Sequence, residues 1–165
     1  MIKKTTNNPS LTGRSWYEKL VLFFAFGLGS GFLRPAPGTW GTLPGVALAA
    51  VVMHHPTLHV VTLIVVTLVG TWLCQRASDI LGVHDHSGIV IDEIAGILLT
   101  MLFFEPSLLN LTLGFVLFRL FDIVKPWPIK WIDQRIDGGW GIMLDDLIAG
   151  VFAWLSLYIL VNYIV

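Results

Sequence analysis

Eleven residues of this 165-residue chain carry carboxylates. Eight of them, Asp85, Asp92, Glu93, Asp122, Asp133, Asp137, Asp145 and Asp146, fall at the edges of apolar runs or in the loops between them. Crowded carboxylates repel one another and take up protons unless a cation compensates them. A divalent metal is one answer; Arg119 and Lys125 are another. Mg²⁺ takes hard oxygen ligands and often binds through one or two carboxylates together with a phosphate. Asp122 and Lys125 are three residues apart, a spacing at which side chains share a helix face. Lys125 could then hold a phosphate while Asp122 helps to hold the metal. His84-Asp85-His86 alternates in a way that lets its side chains converge in an extended turn, as metal ligands, proton donors or phosphate contacts. Gly27, Gly29, Ser30, Gly31 and the turn at Pro37-Gly38-Thr39 could offer backbone N–H groups to an anion, with Thr39 a candidate phosphate contact.

Taken one at a time, these residues have plainer readings. Asp92, Glu93, Asp145 and Asp146 each suit the N-terminal end of a helix, where the dipole favours an acid. His84 and His86 suit a solvated loop, and Asp133 and Asp137 suit caps or pairs with Lys130 and Arg135. Glu18, Asp79 and Glu105 are read as structural. A site requires these residues to converge, and convergence requires elements that bring distant residues together.

The apolar runs are those elements. Six occur: Leu20 to Phe32, Thr42 to Met53, Leu58 to Cys74, Gly88 to Phe104, Leu108 to Phe121 and Ile142 to Val165. A membrane span needs about 20 mostly apolar residues, so several are marginal alone. If the first lies at or dips into one face and the other five cross, the connections at the far side are His54-His55-Pro56-Thr57 and Glu105-Pro106-Ser107, which lack Lys and Arg. All ten basic residues (Lys3, Lys4, Arg14, Lys19, Arg34, Arg76, Arg119, Lys125, Lys130 and Arg135) then fall on the near, cytoplasmic side, as the positive-inside rule favours. In this reading Asp92, Glu93, Asp122, Asp145 and Asp146 reach one level on that side. Asp92 and Glu93 sit roughly 6–8 Å below the start of their run. Ionisable groups inside a span cost about 2.5–3.5 kcal/mol even on the lenient scale, so they mark function by default. Small residues at Gly88, Asp92 and Gly96, at Asp146 and Gly150, and at Asp145, Ala149 and Ala153 form rows that allow close helix packing. The segments Pro35 to Thr42, Lys125 to Pro128 and Asp137 to Gly141 read as turns that interrupt the helices.

Composition agrees with a bilayer as solvent. Hydrophobic residues make up 55%, charged residues only 13%, and mean hydropathy is +0.77. An ordinary soluble domain is about 25% charged. The same numbers exclude disorder, and a net charge of −1 leaves no basic footprint for nucleic acid. Cys74 is the sole cysteine, which excludes intrachain disulfides and Cys-rich metal sites. After Lys3 and Lys4 the stretch to Ser10 is polar, unlike a secretory signal. The expected fold is all-α: a small polytopic membrane bundle of about five transmembrane helices with an N-terminal re-entrant or interfacial helix. Residues 1–19 form a cytoplasmic segment and 20–165 a single membrane-embedded domain.

Val83-His84-Asp85-His86, Asp92-Glu93, Phe118-Arg119 with Asp122, Lys125-Pro126-Trp127-Pro128-Ile129 with Asp133, Gly138-Gly139 with Gly141-Ile142-Met143, and Asp145-Asp146 with Ala149-Gly150 occur in that order. Together with Pro37-Gly38-Thr39-Trp40-Gly41, this pattern resembles the phosphatidylglycerophosphatase A family of bacteria over about residues 22–150. The resemblance implies a multi-pass, inner-membrane, Mg²⁺-dependent phosphatase with its active site facing the cytoplasm. It also implies a lipid substrate, phosphatidylglycerophosphate, cleaved to phosphatidylglycerol and phosphate. Within that family reading, Asp92, Glu93, Asp145 and Asp146, with Asp122, hold Mg²⁺. Arg119, Lys125 and Thr39 meet the phosphate, and proton handling falls to a carboxylate or to His84 or His86. The catalytic set is then His84, Asp85, His86, Asp122, Lys125 and Asp133. No obligate protein partner is evident.

Other phosphatase chemistries lack their residues. No Arg follows Cys74 at the spacing of a thiolate phosphate cradle, and no Asp-x-Asp pair or phosphohistidine pattern occurs. A metal-activated water is the simplest remaining mechanism. The main rival is a small transporter or proton-coupled carrier, because buried carboxylates also line ion pathways. Such sites lie near the bilayer midplane between repeats, whereas these acids gather at one face and no repeat is present. A phosphotransferase would need a nucleotide-binding Gly-rich loop, which is absent, and a scaffold would have no use for the acids.

Overall fold

The computed structural model describes residues 8–164, all helix and connecting loop, with no strand among them. Lys3 and Lys4, and most of the first stretch of the expected N-terminal segment, lie outside the described residues. Helix α1 spans Trp16–Ala25, α2 Pro37–Val52, α3 Pro56–Leu81, α4 Ile91–Thr100, α5 Leu108–Val124, α6 Ile129–Arg135 and α7 Gly138–Tyr163.

Local chemistry sets the ends of these helices. Ser15 caps α1 by accepting from Glu18 N–H at 3.2 Å, while the Glu18 carboxylate accepts from Ser15 N–H at 2.8 Å. α1 stops at Ala25, where Gly27, Leu28 and Gly29 take positive φ and a short 3₁₀ turn follows at Ser30–Phe32. The first run is therefore a short helix plus a glycine turn, with no continuous span in it. Ser107 caps α5 from Asn110 N–H, and Lys125 ends it in the left-handed region just before Pro126.

α4 is the axis of the bundle. Eight of its ten residues are buried, and it packs against α7, α2, α3 and α5. Its contact with α7 has no room for side chains: a Cβ on Gly150 would lie 2.6 Å from the Gly96 carbonyl oxygen. Ile94, Ile97, Leu98 and Met101 join Ala49, Val52, Phe118, Ala149, Ala153 and Leu157 in one core cluster. A second cluster joins α1 to α3 through Leu22, Phe26, Leu73, Cys74 and Ala77.

The outward faces are apolar. Leu58, Val61, Ile64, Val65, Leu68 and Trp72 of α3 are exposed, as are Val151, Leu155, Tyr158 and Ile159 of α7. These two helices have 26 residues each, and both are long and apolar enough to cross a membrane. At about 1.5 Å per residue each reaches some 39 Å.

Three expectations need correction. Pro35 to Thr42 is not a turn throughout, because α2 begins at Pro37. Proline suits the first helical turn, where its missing N–H loses nothing. Gly41 and Gly45 let α2 approach α4, Gly41 against Val90 and Gly45 against Ile94 and Ile97, so packing outweighs weak propensity. Likewise Gly138 to Gly141 forms the first turn of α7. Gly139 is there for close approach to α3: its N–H donates to Gln75 Oε1 at 2.8 Å, and a Cβ would sit 2.9 Å from Gln75 N. Finally, the helix of the fourth run covers only Ile91–Thr100, so Gly88 is not in a helical row with Asp92 and Gly96 and instead packs on Phe26. The short helix α6 had no counterpart in the expected elements.

Candidate active site

The connections at one end of the bundle surround a cavity of about 330 Å³. Ala36, Pro37 and Gly38 line it from the start of α2; Asp85, Ser87 and Ile89 from the loop before α4; Asp92 and Glu93 from α4. Arg119, Asp122 and Ile123 come from the last turns of α5, Lys125 from its cap, and Asp145 and Asp146 from α7. Six carboxylates thus face two cationic side chains. That surplus of negative charge in a buried place calls for a bound cation or bound protons.

Two arrangements divide the acids. Asp92, Glu93 and Asp146 are all buried and can each present an oxygen within 4.8 Å of the others. Asp92 Oδ1 is fully buried and has no hydrogen-bond partner among the described residues. An all-oxygen donor set of this kind suits a hard divalent cation such as Mg²⁺, so the residues present fit the expected metal. Asp145 stands apart from the trio. It contacts the Lys125 ammonium, which also lies 3.0 Å from Asp133 Oδ1. Burial would pull the Lys125 ammonium down, but Asp145, by charge and hydrogen bond, and Asp133 outweigh it and hold the group above the ordinary lysine range.

Arg119 lines the same cavity from within α5. Its Nη1 lies 2.6 Å from Asp122 Oδ2, one turn on along α5, and 3.8 Å from Glu93 Oε1. The backbone of Gly38 passes directly against this group: a Cβ there would lie 2.5 Å from Glu93 Oε1 and 3.0 Å from Arg119 Nη2. Pro37 has no N–H and Trp40 N–H donates to the Ala36 carbonyl oxygen, so Gly38 and Thr39 carry the N–H groups left over at the start of α2, and Gly38 lines the cavity. Such a helix start, with a guanidinium beside it, is suited to an anion.

Not every expected residue reaches the cavity. His84 does not line it; its Nε2 accepts from Gly138 N–H at 2.9 Å and ties the loop to the start of α7. His86 is buried beside Phe26, with ring centroids 5.7 Å apart, and its Nδ1 accepts from Gly88 N–H at 3.0 Å. Thr39 lies one residue beyond the lining part of α2, and Asp133 does not line the cavity but pairs with Lys125, which does. The structure adds Ala36, Ser87, Ile89 and Ile123, none of which stands out in the sequence, and it brings Gly38 of the expected Pro37-Gly38-Thr39 turn to the cavity wall.

The far-side connections gather around a separate cavity at the other end, lined by His54, Pro56, His59, Glu105 and Pro106 among others. Buried His59 there has its Nε2 2.9 Å from the Leu98 carbonyl oxygen.

Comparison with known proteins shows the family of the chain. The family model described as phosphatidylglycerophosphatase A matches residues 23–161, the stretch that supplies the cavity. The chain is 41% identical to a phosphatidylglycerophosphatase A of Haemophilus influenzae over 155 residues, 90% of this chain and 92% of that protein. It is 38% identical to the phosphatidylglycerophosphatase A of Escherichia coli K12 over 136 residues, 81% and 79% of the two chains. No solved structure matches. With its sequence matched from α1 into α7 and its acids gathered at one end of the bundle, the chain belongs to the phosphatidylglycerophosphatase A family.

Proposed function

We propose that this chain hydrolyses the terminal phosphate monoester of phosphatidylglycerophosphate, releasing phosphate and phosphatidylglycerol. One observation carries the reading: Asp92, Glu93 and Asp146 form a buried oxygen trio in the same cavity as Arg119 and the start of α2, at one end of an apolar bundle. The relatives named for this activity support the choice of substrate.

In the reaction a water oxygen bonds to phosphorus, the bond from phosphorus to the glycerol oxygen breaks, and that oxygen leaves as a hydroxyl. Arg119 and the N–H groups of α2 hold the monoester oxygens and offset the charge that develops on them. Glu93 and Asp122 hold the guanidinium, so its position costs no reorganisation during the reaction. Lys125, kept charged by Asp145 and Asp133, adds a second fixed positive charge. A carboxylate lining the cavity takes the proton from water and returns one to the leaving oxygen. Magnesium held by Asp92, Glu93 and Asp146 would supply Lewis-acid charge against the phosphoryl oxygens.

The membrane arrangement follows the same logic. We place α2, α3, α5 and α7 across the inner membrane, with the ten-residue α4 as a short fifth helix sheltered among them and α1 at the cytoplasmic face. The two far-side connections carry no Lys or Arg, while Arg14, Lys19, Arg34, Arg76, Arg119, Lys125, Lys130 and Arg135 belong to the cavity end, which favours a cytoplasmic site. A transporter is disfavoured because the acids occupy the first turn of α4, the end of α5 and the first third of α7 rather than a site between repeats. The test is phosphate release from phosphatidylglycerophosphate by the purified chain in mixed micelles. Release is expected; its absence with Mg²⁺ present overturns the assignment.

A further inference from the structure

A third cation, Arg34, stands next to the cavity without lining it. Ser87 lines its wall, and Arg34 reaches Ser87 Oγ from Nη1 at 3.3 Å. Arg34 Nε and Nη2 both donate to Asn8 Oδ1, at 3.1 and 3.0 Å. These partners are neutral. By contrast, Arg119 lies beside Glu93 and Asp122, and Lys125 beside Asp133 and Asp145. Arg34 is half-buried and sits just ahead of Ala36, Pro37 and Gly38, which line the same cavity. A guanidinium has five N–H donors, so the bonds to Asn8 and Ser87 leave donors for a further acceptor.

Resting on the proposed activity, the substrate carries two phosphates. The terminal monoester is the one hydrolysed. The other is a phosphodiester joining the glycerol head to the diacylglycerol, with a glycerol bridge between the two. The phosphodiester is anionic and must lie near a wall already rich in carboxylates, so it needs a cation that no carboxylate has neutralised. We infer that Arg34, steadied by Ser87 and Asn8, binds this phosphodiester and thereby selects a lipid with two phosphates over one that carries a monoester alone. Planar guanidinium donors suit two phosphate oxygens at once. Arg34 lies outside the lining of the cavity that holds the acids. It is a specificity residue, and its contribution belongs to substrate binding.

The experiment compares the wild-type full chain with R34Q and R34K on phosphatidylglycerophosphate and on phosphatidic acid, which has a monoester and no phosphodiester. For R34Q the KM for phosphatidylglycerophosphate should rise about tenfold or more, the worth of one hydrogen-bonded charge. Its kcat should stay within about twofold, as expected when ground-state and transition-state binding are lost alike. R34K should recover part of the loss, and phosphatidic acid kinetics should not change. An unchanged KM in R34Q, or a fall in kcat that R34K does not relieve, overturns the inference while leaving the activity standing. If the wild type releases no phosphate from phosphatidylglycerophosphate, the activity itself fails and the inference with it. If phosphatidic acid is not cleaved at all, the division between KM and kcat on phosphatidylglycerophosphate decides.

Discussion

At the scale of residues, the cavity depends on where neighbouring acids point. Asp145 and Asp146 are adjacent on α7, and adjacent helical residues diverge by about 100°. Asp146 therefore joins Asp92 and Glu93, while Asp145 turns to Lys125. Residue types and spacing bring all four acids to one level but cannot divide them, because the division depends on the rotation of α7 against α4. The histidines illustrate the same limit. His84 and His86 have types suited to proton transfer, yet a ring nitrogen of each accepts from a backbone N–H and neither lines the cavity. Gly38 supplies a direct test of the geometry around Arg119. Gly38→Ala places a Cβ 2.5 Å from Glu93 Oε1, at the ends of two flexible side chains. The fold should survive while activity drops roughly ten- to a hundredfold, the effect of misplacing a charged group by about an ångström. Phosphate release alongside thermal unfolding checks this; wild-type turnover would show that Gly38 does not crowd the site.

At the scale of elements, glycine carries much of the arrangement. α4 and α7 meet backbone to backbone at Gly96 and Gly150. Gly150→Val puts a branched side chain against the Gly96 carbonyl, an obstacle that no rotamer change removes. Overpacking of this kind costs about 1–3 kcal/mol, so the variant should unfold at a lower temperature in detergent. An unchanged transition would contradict the close contact. The helices themselves were legible because their apolar runs are long: α3 and α5 overlap Leu58 to Cys74 and Leu108 to Phe121 closely. Their ends were less so. The starts of α2 and α7 look like turns because Gly38, Gly138 and Gly139 are poor helix formers and proline is a breaker anywhere but the first turn; Pro37 sits in that first turn, and packing against α4 and α3 holds the glycines in helix. Likewise α6 follows Pro126 and Pro128, where breaking signals mask a short helix.

At the scale of the whole molecule, the ends of the bundle differ in kind. The acids and their cations meet at one end, and His54, His59 and Glu105 meet at the other. Charge asymmetry in the loops was enough to separate those ends from the sequence, since it does not depend on side-chain packing. Cys74 is buried and gives a quiet background for labelling. In intact cells with the outer membrane opened, a membrane-impermeant thiol reagent should label H55C at once. It should reach Q134C on α6 only after the inner membrane is breached. Labelling in the reverse order would invert the proposed topology and place the cavity on the wrong side for a cytoplasmic substrate.

The most direct measurement of the central claim is phosphate release from phosphatidylglycerophosphate during chelation and metal return. Wild-type activity should vanish in excess EDTA and come back with Mg²⁺. Asp146→Asn, which removes one charge from the buried trio, should lose about a hundredfold or more at saturating Mg²⁺, on the scale of one lost transition-state electrostatic contact. Undiminished turnover in EDTA, or full activity of the Asp146 variant, would contradict a reaction built on that cluster of oxygens.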